Sequence, residues 1–163
     1  MSSSEAIEPS DATLKVWEKT IEVQQHFNDI EIQIRNYALT LFTAILAGIG
    51  YLYKENISLE IYHFDFPVSA IGALIGIVIM CSFYFMDKYW YHKLLIGSVV
   101  HAINIEDQFK TTFKQIGLSN EIKNYSPVKI MGQTFQSVWK YYFFYYPLIL
   151  VFIVIYFVLL IWG

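Results

Sequence analysis

The sequence predicts an all-α, polytopic membrane protein with three transmembrane helices and two long helices extending into the cytoplasm. Composition is the first reason. Of 163 residues, 56% are hydrophobic and 18% aromatic, while 15% are charged, against roughly 25% charged in a typical soluble domain. The second reason is where the charges fall. Residues 37–53, 67–86 and 142–162 contain no Lys, Arg, Asp or Glu. A charge at the bilayer centre costs roughly 3 kcal/mol or more on insertion scales, so uncharged runs of this length mark spans. The third reason is the helical spacing of apolar residues that flank the first two runs.

Residues 1–12 read as a disordered tail, rich in Ser, Glu and Asp and lacking the basic start and apolar run of a signal peptide. From Thr13 onward, Val16, Thr20, Val23, Phe27, Ile30, Ile34, Tyr37 and Leu41 recur at alternating three- and four-residue steps. That spacing predicts a coiled-coil-like seam on one helix, residues 13–36, which continues into the first span without a break. Asp11 is its expected N-cap.

The first span, 37–53, is close to the minimum length for crossing a hydrocarbon core of about 30 Å. Ala44, Ala47, Gly48 and Gly50 give it a small-residue face, which lets helices approach closely in lipid. Residues 54–66 form a short extracytoplasmic loop. Pro67 then suits the first turn of the second span, 67–86, where Gly72 and Gly76 form a GxxxG pair. Ala44, Gly48, Gly72 and Gly76 are therefore the helix-packing candidates. Cys81, the single cysteine, excludes an intrachain disulfide and reads as a small core residue.

Residues 87–141 form a cytoplasmic helical segment. Its apolar residues Tyr91, Leu95, Ala102, Phe109, Phe113 and Ile116 share one helical face, Glu106 and Lys110 are spaced as an i,i+4 pair, and Gly117 is the expected stop. Ser119-Asn120 reads as a turn, and Ser126 as a cap for a helix starting at Pro127. The third span, 142–162, has an aromatic belt of tyrosines at its start and no glycine, which suits it to facing lipid.

Ten of the eleven Lys and Arg residues lie before the first span or between the second and third; only Lys54 lies on the other side. The positive-inside rule then puts the N-terminus in the cytoplasm and the C-terminus outside. The expected location is the bacterial inner, or cytoplasmic, membrane.

Nothing in the sequence matches a catalytic motif such as HExxH, a Walker A loop, GxSxG or CxxC. His92 and His101 are nine residues apart, which does not suit helical metal ligands. No enzyme activity, cofactor or metal site is expected. Three polar features carry alternatives. Arg35 and Asp87 fall at one depth of the first hairpin, as a structural ion pair or a gate. Thr40 and Thr43 either line a narrow aqueous path in an oligomer or bond carbonyls one turn back. Ser69 and Ser82 share that ambiguity. Lys110 and Lys114 either bind an anionic ligand, a nucleotide or oligonucleotide, or form a solvated face that meets lipid headgroups.

Three stretches carry a family resemblance: KVWEKTIEVQQHFNDIEIQ at 15–33, RNYALTLFTAILAGIGYLY at 35–53 and MDKYWYHKLLIGSVVHAINIEDQF at 86–109. They resemble the SLATT-type and Hailong-like small membrane effectors of bacterial nucleotide-signalled antiphage defence. Many SLATT-type proteins are drawn with two spans rather than three. The resemblance implies a homo-oligomeric ion channel effector, a tetramer, in the lipid bilayer. Its cytoplasmic part would bind a nucleotide or oligonucleotide signal made by a partner nucleotidyltransferase, and opening would depolarise the infected cell. The alternative is a non-conducting structural or adaptor membrane protein whose cytoplasmic helices recruit a partner.

Overall fold

The computed structural model describes residues 10–162 apart from 62, 112, 127, 131–132 and 136–137, and their side chains apart from 61, 64, 114, 128–130 and 133–135. Most of the expected tail therefore lies outside the described residues. Helix α1, Asp11–Lys54, runs 44 residues unbroken. Its cap is Ser10 rather than Asp11: the Ser10 Oγ accepts from the Thr13 amide at 3.2 Å, and Asp11 is already the first helical residue. Placed there, the Asp11 carboxylate sits favourably by the positive end of the helix dipole.

Residues 54–66, expected as a loop, include most of a hairpin. Strands β1 (Ser58–Ile61) and β2 (Phe64–Pro67) pair antiparallel, with Leu59 opposite Phe66 and Glu60 opposite Asp65. His63 in the turn takes a φ of 70°. Pro67 ends β2 and precedes α2, Val68–Phe85. The alternation of Leu59, Ile61, Phe64 and Phe66 is the strand signal.

Helix α2 passes into a π-helical segment, Met86–Tyr91, and then into α3, His92–Phe109. The continuation out of the second apolar run was expected; its π geometry was not. Nor does the helix reach Gly117. It stops at Phe109, and a short 3-10 turn, Lys114–Ile116, precedes α4, Leu118–Tyr125. Ser119-Asn120 thus sits in a helix rather than a turn. Ser126 ends α4 instead of opening a helix, and strands β3 (Val128–Ile130) and β4 (Gln133–Phe135) form a second hairpin. Pro127 lies outside the described residues. Helix α5, Trp139–Trp162, closes the chain, with Pro147 inside it.

The fold class is helical, with two small hairpins, and α1, the α2–α3 run and α5 are each long and apolar enough to cross a membrane. The chain divides into two units, residues 1–31 with 90–139 and residues 32–89 with 140–163.

In the second unit, α1, α2 and α5 pack around Ala38, Ile49, Ala73, Met80, Tyr145 and Phe152. Lipid offers no hydrophobic force between helices, so close van der Waals contact has to hold them. Gly76 supplies it. A Cβ placed there would lie 2.8 Å from the Phe152 ring, and one at Gly72 would lie 3.1 Å from Ile49. The third span is therefore not simply lipid-facing. It needs no glycine of its own because α2 provides the hollow. Ala44 and Gly48 face away from these contacts within the chain: both are exposed, and a Cβ at Gly48 meets nothing within 4 Å. Cys81 is likewise exposed rather than in the core.

The expected seam of α1 is packed only in part: Thr20, Phe27, Ile30 and Ile34 are buried or half-buried, alongside a second stripe one residue on. Trp17, Gln24, Glu31, Ala38, Ile45 and Leu52, spaced by sevens, are buried or half-buried. Val16, Val23, Tyr37 and Leu41 are 50%, 37%, 61% and 40% exposed. Glu31 and Trp17 face inward with polar partners and Ala38 permits close approach, so polar and small positions share the packed face with Ile34 and Ile49.

In the first unit, Ile105, Phe109 and Ile116 form a small core with Leu14, Trp17 and Phe113. On its surface, Glu22 holds the pKa of the Lys19 ammonium above its ordinary value, first through a hydrogen bond and then through its charge.

Candidate functional site: a charge and tyrosine clasp

Arg35, Asp87 and Lys88 come together in the second unit, away from the charges of its hairpin. Arg35 Nε donates to Asp87 Oδ2 at 2.8 Å and Arg35 Nη2 donates to Oδ1 at 3.2 Å. This is the two-pronged geometry in which a guanidinium matches a carboxylate. Asp87 is fully buried, and the Arg35 side chain is 20% exposed. The expected pair therefore forms.

Its tyrosine surroundings were not expected. Tyr145 Oη donates to Asp87 Oδ2 at 3.1 Å, and the Arg35 guanidinium lies 5.1 Å from the Tyr141 ring centre. On the next residue, Lys88 Nζ donates to Tyr84 Oη at 2.7 Å and to Tyr142 Oη at 2.6 Å. It also stands 4.1 Å from the Tyr142 ring centre and 5.0 Å from that of Tyr89. Three tyrosines in the opening turns of α5 thus each receive a charged group: Tyr141 takes Arg35, Tyr142 takes Lys88 and Tyr145 takes Asp87. The tyrosine run read as an interfacial belt is in part a set of internal ligands.

The π segment is the device that makes this possible. Asp87 and Lys88 are adjacent in sequence, so a regular α-helix would separate them by about 100°. A π turn widens the helix locally and re-aims its side chains, and such turns are frequent at functional sites. Here both charges find hydroxyl partners on α5.

The other candidates stand apart from this cluster. Thr40 and Thr43 are exposed on α1, and their hydroxyls donate to the carbonyls of Asn36 at 2.9 Å and of Thr40 at 2.9 Å. Ser82 donates to the Val78 carbonyl in the same way, at 2.9 Å, whereas Ser69 is buried.

In the first unit, Glu106 does not use the i,i+4 spacing to Lys110. Its carboxylate accepts from Trp17 Nε1 at 3.1 Å, from the Ser119 amide at 2.7 Å and from the Asn120 amide at 2.8 Å. It satisfies amides at the start of α4 that lack helical partners. A second buried link joins His92 Nδ1 and Glu31 Oε1 at 3.1 Å.

Lys110 borders an open cleft of about 290 Å³ with Glu106, Phe113, Gly117, Asn120 and Glu121. One ammonium and two carboxylates therefore line it. The side chain of Lys114 lies outside the described residues. Among the described residues, no three His, Cys, Asp or Glu side chains gather as metal ligands.

Fold and cluster together define a helical, membrane-type protein with a buried ion pair clasped by tyrosines. No family model matches the chain, and no curated protein or solved structure shows a significant match.

Proposed function

We propose that the protein is an oligomeric ion channel of bacterial antiphage defence. A nucleotide or oligonucleotide signal, bound on its cytoplasmic part, opens it and depolarises the infected cell. The chain crosses the inner membrane three times in this reading, with the N-terminus in the cytoplasm and the C-terminus outside. The resemblance of residues 15–33, 35–53 and 86–109 to nucleotide-signalled effectors supplies the biological setting.

One observation carries the channel. The outward faces of α2 and α5 are apolar where they are most exposed: Ile75, Val78 and Phe85 on α2, Leu150, Val154 and Phe157 on α5. Helix α1 presents a mixed face, turning Thr40, Thr43, Ala47 and Gly50 outward beside the exposed Tyr37, Leu39, Leu41 and Tyr51. Lipid solvates the apolar part of that face and gains nothing from the row of Thr, Ala and Gly. Three helices are too few to enclose water, so several copies, a tetramer in this proposal, would surround an axis with α1 innermost. The tyrosine contacts around the Arg35–Asp87 pair and Lys88 would then act as the gate, because movement of α5 would have to break the Tyr145–Asp87 and Tyr142–Lys88 bonds.

Planar-bilayer recording of the purified full-length protein, with and without cyclic and linear oligonucleotides, tests the reading. Ligand-dependent unitary currents are expected. A protein that runs as a monomer in detergent and passes no current with any of these ligands overturns it.

A further inference from the structure

Lys88 lies in the π segment that follows α2 and is half-buried. It donates to the phenol oxygens of Tyr84 and Tyr142, and the ring centres of Tyr142, Tyr89 and Tyr84 stand 4.1, 5.0 and 5.1 Å from its Nζ. Ring faces arranged around an ammonium make the kind of cage that recognises alkylammonium ligands. Here the occupant is a lysine of the same chain.

Phenols and ring faces spread a positive charge but carry no negative charge to cancel it. The neighbouring carboxylate, Asp87, is engaged by Arg35, and among the described residues no carboxylate pairs with Lys88. Lys140 adds a further ammonium at the start of α5, 5.0 Å from the Tyr141 ring centre. The other charges of the second unit, Lys54, Glu55, Glu60 and Asp65, belong to its hairpin end. At the Lys88 end, Arg35, Lys88 and Lys140 stand against Asp87 alone, which makes this end complementary to an anion.

The surface beside Lys88 decides which anion. Phe85 stacks on Tyr89 with 5.7 Å between ring centres, and the two side chains are 56% and 46% exposed. Phe85 also belongs to a shallow groove of about 550 Å³ on α2, lined by Ile77, Val78, Cys81, Ser82, Phe85 and Met86. Ser82 turns its hydroxyl back to the Val78 carbonyl at 2.9 Å, which leaves hydrocarbon along the groove. From Ile77 to Met86 the groove follows about 14 Å of helix. A soluble phosphate gains nothing from such a strip, whereas an acyl chain packs along it.

We infer that Lys88 and the adjoining α2 groove form a binding site for one anionic phospholipid, with its headgroup phosphate on the Lys88 ammonium and one acyl chain along residues 77–86. A choline or ethanolamine headgroup brings its own cation, and the ring faces that would receive it are already filled by Lys88. A headgroup without a cation, such as that of phosphatidylglycerol, meets no such conflict. The inference uses helices long and apolar enough to enter a membrane and is independent of the channel reading.

Native mass spectrometry of the full-length protein in detergent tests it. Phosphatidylglycerol and phosphatidylcholine with identical chains are added in equal amounts, and inorganic phosphate competes in a separate arm. Retained phosphatidylglycerol should exceed phosphatidylcholine about fivefold, the scale of one basic residue meeting anionic lipid. Lys88→Gln should abolish the preference, whereas Lys140→Gln, which removes the same formal charge outside the cage, should leave most of it. Cys81→Trp, which fills the groove, should lower retention of both lipids. Photo-crosslinking of the unaltered chain to phosphatidylglycerol with a photoreactive headgroup needs no variant to fold, and its adducts are expected within residues 84–89 and 142–146.

Equal retention of the two lipids, an equal loss of preference in Lys88→Gln and Lys140→Gln, or adducts confined to other residues overturns the site. Unchanged retention in Cys81→Trp removes the groove from it. Displacement of phosphatidylglycerol by inorganic phosphate identifies a soluble anion as the occupant and overturns the lipid assignment.

Discussion

Arg35 on α1 grips Asp87 on the π segment through two nitrogens, although the residues are 52 positions apart in the chain. The carboxylate is fully buried and also accepts from Tyr145. A buried ion pair returns little net stability relative to apolar packing, but removing one partner strands the other charge.

Asymmetric consequences should follow. Arg35→Met should destabilise the protein by about 3–5 kcal/mol, because Asp87 loses its counter-charge in a dry site. The double variant Arg35→Met with Asp87→Leu should recover most of that loss. Thermal unfolding in detergent measures both. Equal destabilisation of single and double variants would show that the pair is not what holds these helices.

Gly76 should tolerate no side chain. Gly76→Ala pushes a Cβ into the Phe152 ring, at 2.8 Å, and overpacking of that kind costs about 1–3 kcal/mol. Phe152→Leu should relieve it in the double variant. Gly48→Ala, on an open face, should instead be neutral or stabilise the helix by up to about 1 kcal/mol. The difference in melting temperature between Gly76→Ala and Gly48→Ala reads the contrast directly.

Replacing Glu106 should act on α4. Glu106→Ala leaves the Ser119 and Asn120 amides and Trp17 Nε1 without their acceptor. Stranded buried donors cost about 1–3 kcal/mol each. Hydrogen exchange should quicken across residues 118–125 while α5 keeps its protection. Unchanged exchange in α4 would show that the carboxylate is dispensable as a cap.

Topology follows from the number of crossings. With three, epitope tags at the two termini should be digested from opposite sides of the membrane: the N-terminal tag only in inverted vesicles, the C-terminal tag only in spheroplasts. Digestion of both from one side would contradict the proposed orientation.

Much of the helical framework was legible because lipid imposes a simple rule. Charge is excluded from long runs; the first and third lie within α1 and α5, and the second covers α2 with one residue to spare at each end. The Arg35–Asp87 pair was legible for a related reason, since two long apolar helices joined by a short connection return the chain to the same level. The α1 seam was legible only in part: Phe27, Ile30 and Ile34 pack, whereas Val16, Val23, Tyr37 and Leu41 are exposed. In a membrane-type helix apolar side chains are content to face outward, and small residues and polar groups with partners, Ala38, Glu31 and Trp17 among them, share the packed face. The hairpin at 58–67 was hidden by its shortness.

By itself, then, the order of residues determined where the chain can leave water, because transfer of charge into hydrocarbon is costly whatever the neighbours. Tertiary structure alone decided which faces meet. That choice depends on the hollow at Gly76 that receives Phe152, and on the π turn that aims Asp87 and Lys88 at tyrosines of one helix. Both arise from pairwise fit between distant segments, which no local pattern encodes.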